Sequence, residues 1–102
     1  MNTENETKAA PDVDALNTQV NEAYEASNAA FKEWQRARDR VRDQAEIIAE
    51  ALAAGNEVHA TSIEIYREAK AHLQQVDAED DRLRAAARSL HAELEAARTA
   101  DQ

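Results

Sequence analysis

The sequence predicts an all-α protein: an antiparallel helical hairpin, coiled-coil-like, that dimerises into a four-helix bundle. Three observations carry this. Alanine occurs 24 times in 102 residues, and glycine and proline once each; alanine is the best helix former and those two the worst. Apolar residues recur in steps of three and four along two segments of nearly equal length. The one glycine, Gly55, falls between those segments.

Residues 1–11 are polar, charged and without pattern, and end in Pro11. They read as a disordered acidic tail ahead of a helical domain over 12–102. Asp12 or Asp14 can cap the first helix, because a short carboxylate accepts from the free N–H groups there.

Helix 1 is predicted over about 13–54. Its heptad positions are Val13, Val20, Ser27, Trp34, Val41 and Ile48, joined three residues on by Leu16, Ala23, Ala30, Ala37, Gln44 and Ala51. Large residues at one core position and alanine at the other let a partner helix approach closely. Tyr24, Phe31, Ala45 and Leu52 widen the apolar face beyond a two-stranded seam, which suits a bundle.

Helix 2 is predicted over about 57–98, after a turn at 55–56. Asn56 can cap it; Thr61-Ser62-Ile63-Glu64 also fits a capping box, which would start the helix a turn later. Its seam is Tyr66, Ala69, Leu73, Val76, Asp80, Leu83, Ala87, Leu90, Leu94 and Ala97. Asp80 is the one acid in that row and fits the register-setting role of a polar core residue. Each helix would run roughly 60 Å at 1.5 Å per residue.

One long continuous helix in a coiled coil is the competing fold. The steps Val41, Ala45, Ile48, Leu52, Gly55, His59, Ser62, Tyr66 also alternate without a slip. Glycine inside a helix costs only about 1 kcal/mol relative to alanine. Yet Gly55, His59 and Ser62 are three poor core residues in a row, and this favours folding back at Gly55. The charges favour it too. Lys32, Arg36, Arg38, Arg40 and Arg42 form the only basic island, set against Glu33 and Asp39. In a hairpin it lies opposite the acidic run Asp77-Ala78-Glu79-Asp80-Asp81, with Lys32 facing Glu79 and Asp80. Interhelical charge pairing of this kind fixes register more than it stabilises.

Composition excludes most chemistry. Without cysteine there are no disulfides and no thiolate sites. The start, Met1-Asn2-Thr3-Glu4-Asn5-Glu6, is acidic and unlike a signal peptide. No apolar run approaches the roughly 20 residues that span a bilayer, so a cytoplasmic protein is expected. The net charge of −9 argues against direct binding to nucleic acid or to an anionic membrane.

His59, His72 and His91 have no histidine partner at helical spacing. Pairs such as Glu68 with His72 supply too few ligands for a metal. The acidic run lacks the loop and glycine of a calcium-binding EF-hand. No nucleophile has a positioned base, and no phosphate loop is present. No enzyme activity, metal or cofactor is expected.

The remaining signal is apolar. Ile47, Leu52, Val58, Ile63 and Ile65 crowd the turn end, and Glu46, Glu50, Glu57, Glu64 and Glu68 surround them. Ile47 and Ile65 lie outside the main seams, so two helices alone leave them partly exposed. An exposed apolar patch marks an interface, and an acidic rim fits a partner with a basic surface. The expected function is a non-enzymatic protein-interaction module, an adaptor or inhibitor, that also pairs with itself as a homodimer.

Two alternatives stand beside it. One is an acidic mimic of nucleic acid that blocks a nucleic-acid-binding effector, of the phage anti-CRISPR or anti-restriction type. Phage-encoded nuclease inhibitors resemble this chain in size and charge. The other is a structural or scaffolding coiled coil. Small hairpin proteins of type VII secretion carry Trp-x-Gly at the turn; here the turn is Ala54-Gly55-Asn56 and Trp34 lies mid-helix, so that motif is missing.

Overall fold

A computed structural model describes residues 12–100. The expectations for residues 1–11 and for the last two residues lie outside the described part. The described chain is an all-α helical hairpin made of two helices, α1 (Val13–Ala53) and α2 (Ala60–Ala100), each of 41 residues. The continuous helix is therefore excluded.

The ends of α1 explain its length. Asp12 is the N-cap: its Oδ1 accepts from the backbone N–H of Asp14 at 3.0 Å and of Ala15 at 3.2 Å. These are two of the donors that a helix start leaves without a partner. The other end closes in a Schellman motif. Asn56 N–H donates to the Ala51 carbonyl at 2.9 Å, and Gly55 N–H to the Leu52 carbonyl at 3.0 Å. That pattern needs a left-handed residue after the helix, and Gly55 supplies it with φ of 75°.

The turn is longer than the sequence suggests. The Asn56 backbone N–H finishes α1, and α2 begins four residues later at Ala60, so Asn56 does not stand at the N-cap of α2. The connection runs over 54–59, and α2 starts at Ala60 rather than near Glu57. There the amides of Ser62 and Ile63 both donate to the His59 carbonyl, at 3.0 and 3.3 Å. At its far end α2 continues to Ala100, two residues past the expected Arg98. Thr99 Oγ1 donates to the Glu95 carbonyl at 2.9 Å within this last turn.

The described residues form two compact units. One comprises residues up to Asn28 together with those from Arg82 onward; the other is Ala29–Asp81. In the first, Val20, Ala87, Leu94 and Ala97 are buried. Arg98 Nη2 reaches Asn17 Oδ1 at 3.5 Å, and the Tyr24 ring meets His91 edge-on at 6.2 Å. Numbers rise on one helix as they fall on the other, as antiparallel packing requires.

In the second unit Ala37, Ala69 and Asp80 are buried. Every residue of both predicted seams is buried or half-buried. Four of the six buried apolar residues are alanines, so the core is thin, and small seam residues of this kind allow helices to pack closely. Asp80 is only 4% exposed. Asp80 is not without a partner, although its Oδ1 accepts no hydrogen bond.

Candidate interaction surface

All ten residues of the sequence-predicted surface lie within Ala29–Asp81. The five carboxylates, Glu46, Glu50, Glu57, Glu64 and Glu68, are exposed. Among the apolar residues, Leu52 is 63% exposed, Ile47 50% and Ile63 37%, whereas Val58 and Ile65 are half-buried. Large apolar side chains facing water beside α1's end thus survive folding of the hairpin.

The structure divides them in a way that the sequence reading did not. Glu33 Oε1 lies 3.5 Å from His72 Nε2, which marks one flank of the helix pair. Ile47 stands two heptads beyond Glu33 on α1, and Ile65 one heptad before His72 on α2. Both therefore belong to that flank. Leu52 is five residues past Ile47, a rotation of about 140° at 3.6 residues per turn. Ile63 is two residues before Ile65, about 160° away around α2. The apolar residues of the turn end therefore do not form one patch: Ile47 and Ile65 lie on one flank, about seven residues apart along the pair, and Leu52 and Ile63 are turned away from it.

The charges near these surfaces are arranged locally. Arg36 Nη2 pairs with Glu33 Oε2 at 2.8 Å, Arg38 with Asp39 at 3.3 Å, and Arg42 with Asp39 at 3.5 Å and with Asp43 at 3.8 Å. These cations of the basic island find carboxylates on their own helix. Two of these pairs are three residues apart, one turn along the helix, and two join adjacent residues, so none needs help from tertiary structure. The hydrogen bond from Arg36, and then that from His72, hold the Glu33 carboxyl below the usual carboxylate range.

Sequence reasoning missed an aromatic cluster at mid-helix. Phe31, 41% exposed, stacks on the half-buried Trp34 with ring centres 5.8 Å apart and planes inclined by 17°. Arg38 lies over the same indole, 5.1 Å from its centre. The spacing Phe31, Trp34, Arg38 was the available signal, since residues three and four apart on a helix are neighbours. On α2, Lys70 similarly covers Tyr66 at 5.6 Å.

No chemistry-bearing cluster accompanies these surfaces. Among the described residues there is no group of three or more His, Cys, Asp or Glu side chains arranged to hold a metal ion. No described helix is long and apolar enough to cross a membrane. A shallow groove lined by Leu16, Glu93, Ala96, Ala97 and Ala100 lies in the other unit, with one ionisable side chain. Comparison of the chain with protein-family models, with characterised proteins and with solved structures finds no match.

Proposed function

We propose that the chain is a non-catalytic protein-interaction module, an adaptor or inhibitor acting in the cytoplasm, that docks through the Ile47–Ile65 flank of its turn end. One observation carries this reading. Ile47, outside the covered seams, remains half exposed in the folded hairpin, and Glu46, Glu50, Glu64 and Glu68 are exposed on the same turn-end segments. An apolar centre supplies affinity when it is desolvated. A ring of carboxylates selects a partner with a basic rim and speeds encounter.

The test uses the native chain as bait in a lysate of its source cells, alongside Ile47→Asp, Ile65→Asp and the double variant Glu46→Lys with Glu50→Lys. Loss of the same captured protein with either aspartate variant supports apolar docking. Retention with both aspartate variants, and loss with the lysine variant and with rising salt, supports instead an acidic mimic of nucleic acid, because contacts to a basic groove are screened. Binding untouched by all three variants removes the turn end as the site.

A further inference from the structure

The flank that carries Ile47 and Ile65 has a spacing and a charge of its own. Glu33 facing His72 sets the level of one helix against the other. Ile47 lies two heptads from Glu33 towards the turn, and Ile65 one heptad from His72. The two isoleucines are therefore one heptad apart along the pair, roughly 10.5 Å. Side chains seven residues apart on a helix point the same way and are separated by that same distance, about 10.5 Å. A strand presents one face every second residue, so its like-facing side chains fall near 6.7 or 13.4 Å and miss one isoleucine by about 3 Å or more.

The charge comes from residues that helix geometry places on this flank. Asp43 and Glu50 stand one turn either side of Ile47, rotated from it by about 40–60°. That rotation leads away from the seam residues Gln44 and Ile48. Glu68 stands one turn past Ile65, rotated by about 60° away from Tyr66 and Ala69. Each isoleucine thus lies between the seam and an outer row of carboxylates, all three of them exposed. Asp43 is 3.8 Å from Arg42, whereas the Glu50 and Glu68 side chains make no ion pair with another described residue. The arginines of the flank, Arg36 and Arg40, lie farther from the turn than Ile47, and Arg36 is held by Glu33. Glu46 and Glu64 are each about 100° round from the isoleucines, on the outer backs of their helices.

We infer that the partner at this flank is an amphipathic helix of another protein, laid along the cleft between α1 and α2. Two of its apolar residues, seven apart, meet Ile47 and Ile65, and bordering Lys or Arg residues meet Asp43, Glu50 and Glu68. Apolar anchors at such a spacing are how a helix is read in a groove. The inference rests on the docking proposal above and adds the form and charge of the partner. A second copy presenting the same flank would set carboxylates against carboxylates, which disfavours it.

The test selects binders to the full chain from a displayed library of random peptides about 20 residues long, roughly 30 Å as a helix. Binders should share apolar residues seven apart, bordered by Lys or Arg, and should gain helix content on binding, read by circular dichroism. Ile47→Asp and Ile65→Asp should each weaken a selected peptide by about tenfold or more. Glu50→Lys with Glu68→Lys, both at exposed positions that folding does not need, should weaken it too, and less so as salt rises. Glu46→Lys with Glu64→Lys reverses the same charge on the far side and should weaken it much less. A library that yields no binder, binders without that pattern, or equal loss with the two lysine pairs overturns the inference. So does self-association of the chain that Ile47→Asp abolishes, since the occupant is then a second copy. Binders that lack the pattern yet are lost with both aspartate variants leave the docking flank standing and remove only the basic helix. Binders indifferent to both aspartate variants remove the flank itself.

Discussion

Glu33 Oε1 on α1 lies 3.5 Å from His72 Nε2 on α2, while its other oxygen, Oε2, holds Arg36 Nη2 at 2.8 Å. One carboxylate thus ties a helix to itself and to its neighbour. Its proton affinity is lowered, first by Arg36 and then by His72. The folded chain therefore binds fewer protons at this site than the unfolded chain does in the acid range. The stabilisation is fully present above the unfolded carboxylate value of about 4.3 and is lost as pH falls through the lower folded value. Glu33→Gln should melt below the native chain at neutral pH, and the gap should close on acidification. Because the site is exposed the gap is small, and added salt should narrow it. Melting curves from neutral pH to about pH 3 check this; a gap still undiminished at the acid end sinks it.

Gly55 should resist replacement for a reason confined to its own backbone. Its φ is 75°, and a Cβ built there would meet nothing within 4 Å. Gly55→Ala should cost about 1–2 kcal/mol, the price of a left-handed conformation for an L-residue, and Gly55→Asn less. Urea unfolding of both variants measures the difference. If alanine is as stable as glycine, the Schellman closure does not set the turn.

The thin core predicts asymmetric responses. Leu94 is 2% exposed and Ala87 1%, both in the same unit. Leu94→Ala should cost about 2–5 kcal/mol by leaving a cavity. Ala87→Leu should also destabilise, by about 1–3 kcal/mol, because the helices must part to admit it. If Ala87→Leu instead stabilises, the two helices are not held as closely as the buried alanines imply.

Asp80 tests what a buried acid does in a helical seam. Polar core residues in coiled coils fix register at a cost in stability. Asp80→Leu should leave Tm equal or higher and make pairing less unique, visible as additional amide peaks in NMR spectra. A clear fall in Tm with a single set of peaks would show that Asp80 chiefly stabilises.

The sequence by itself determined the helices and their inner faces. With one glycine and one proline, nothing interrupts the two helical segments, and a spacing of three and four residues assigns each side chain to a face through helix geometry alone. Each seam residue so assigned, from Val13 to Ala97, is buried or half-buried. Asp12 was legible as a cap for the same reason, since capping depends on neighbours in the chain.

Tertiary structure decided the rest. Periodicity ran unbroken through Gly55, so only the observed closure, which takes the amides of both Gly55 and Asn56 to finish α1, excluded a continuous helix and moved the start of α2 to Ala60. Charge partners were only partly legible. Arg36, Arg38 and Arg42 take carboxylates within their own helix, where sequence separation fixes the distance, whereas Glu33 with His72 needed the two helices in register. The candidate surface shows the same limit. Composition collects Ile47, Leu52 and Ile65 into one apolar patch; in the hairpin Ile47 is 50% exposed, Leu52 63% and Ile65 half-buried. Which flank each one faces depends on where α2 lies, because a helix has no front until another helix covers its back.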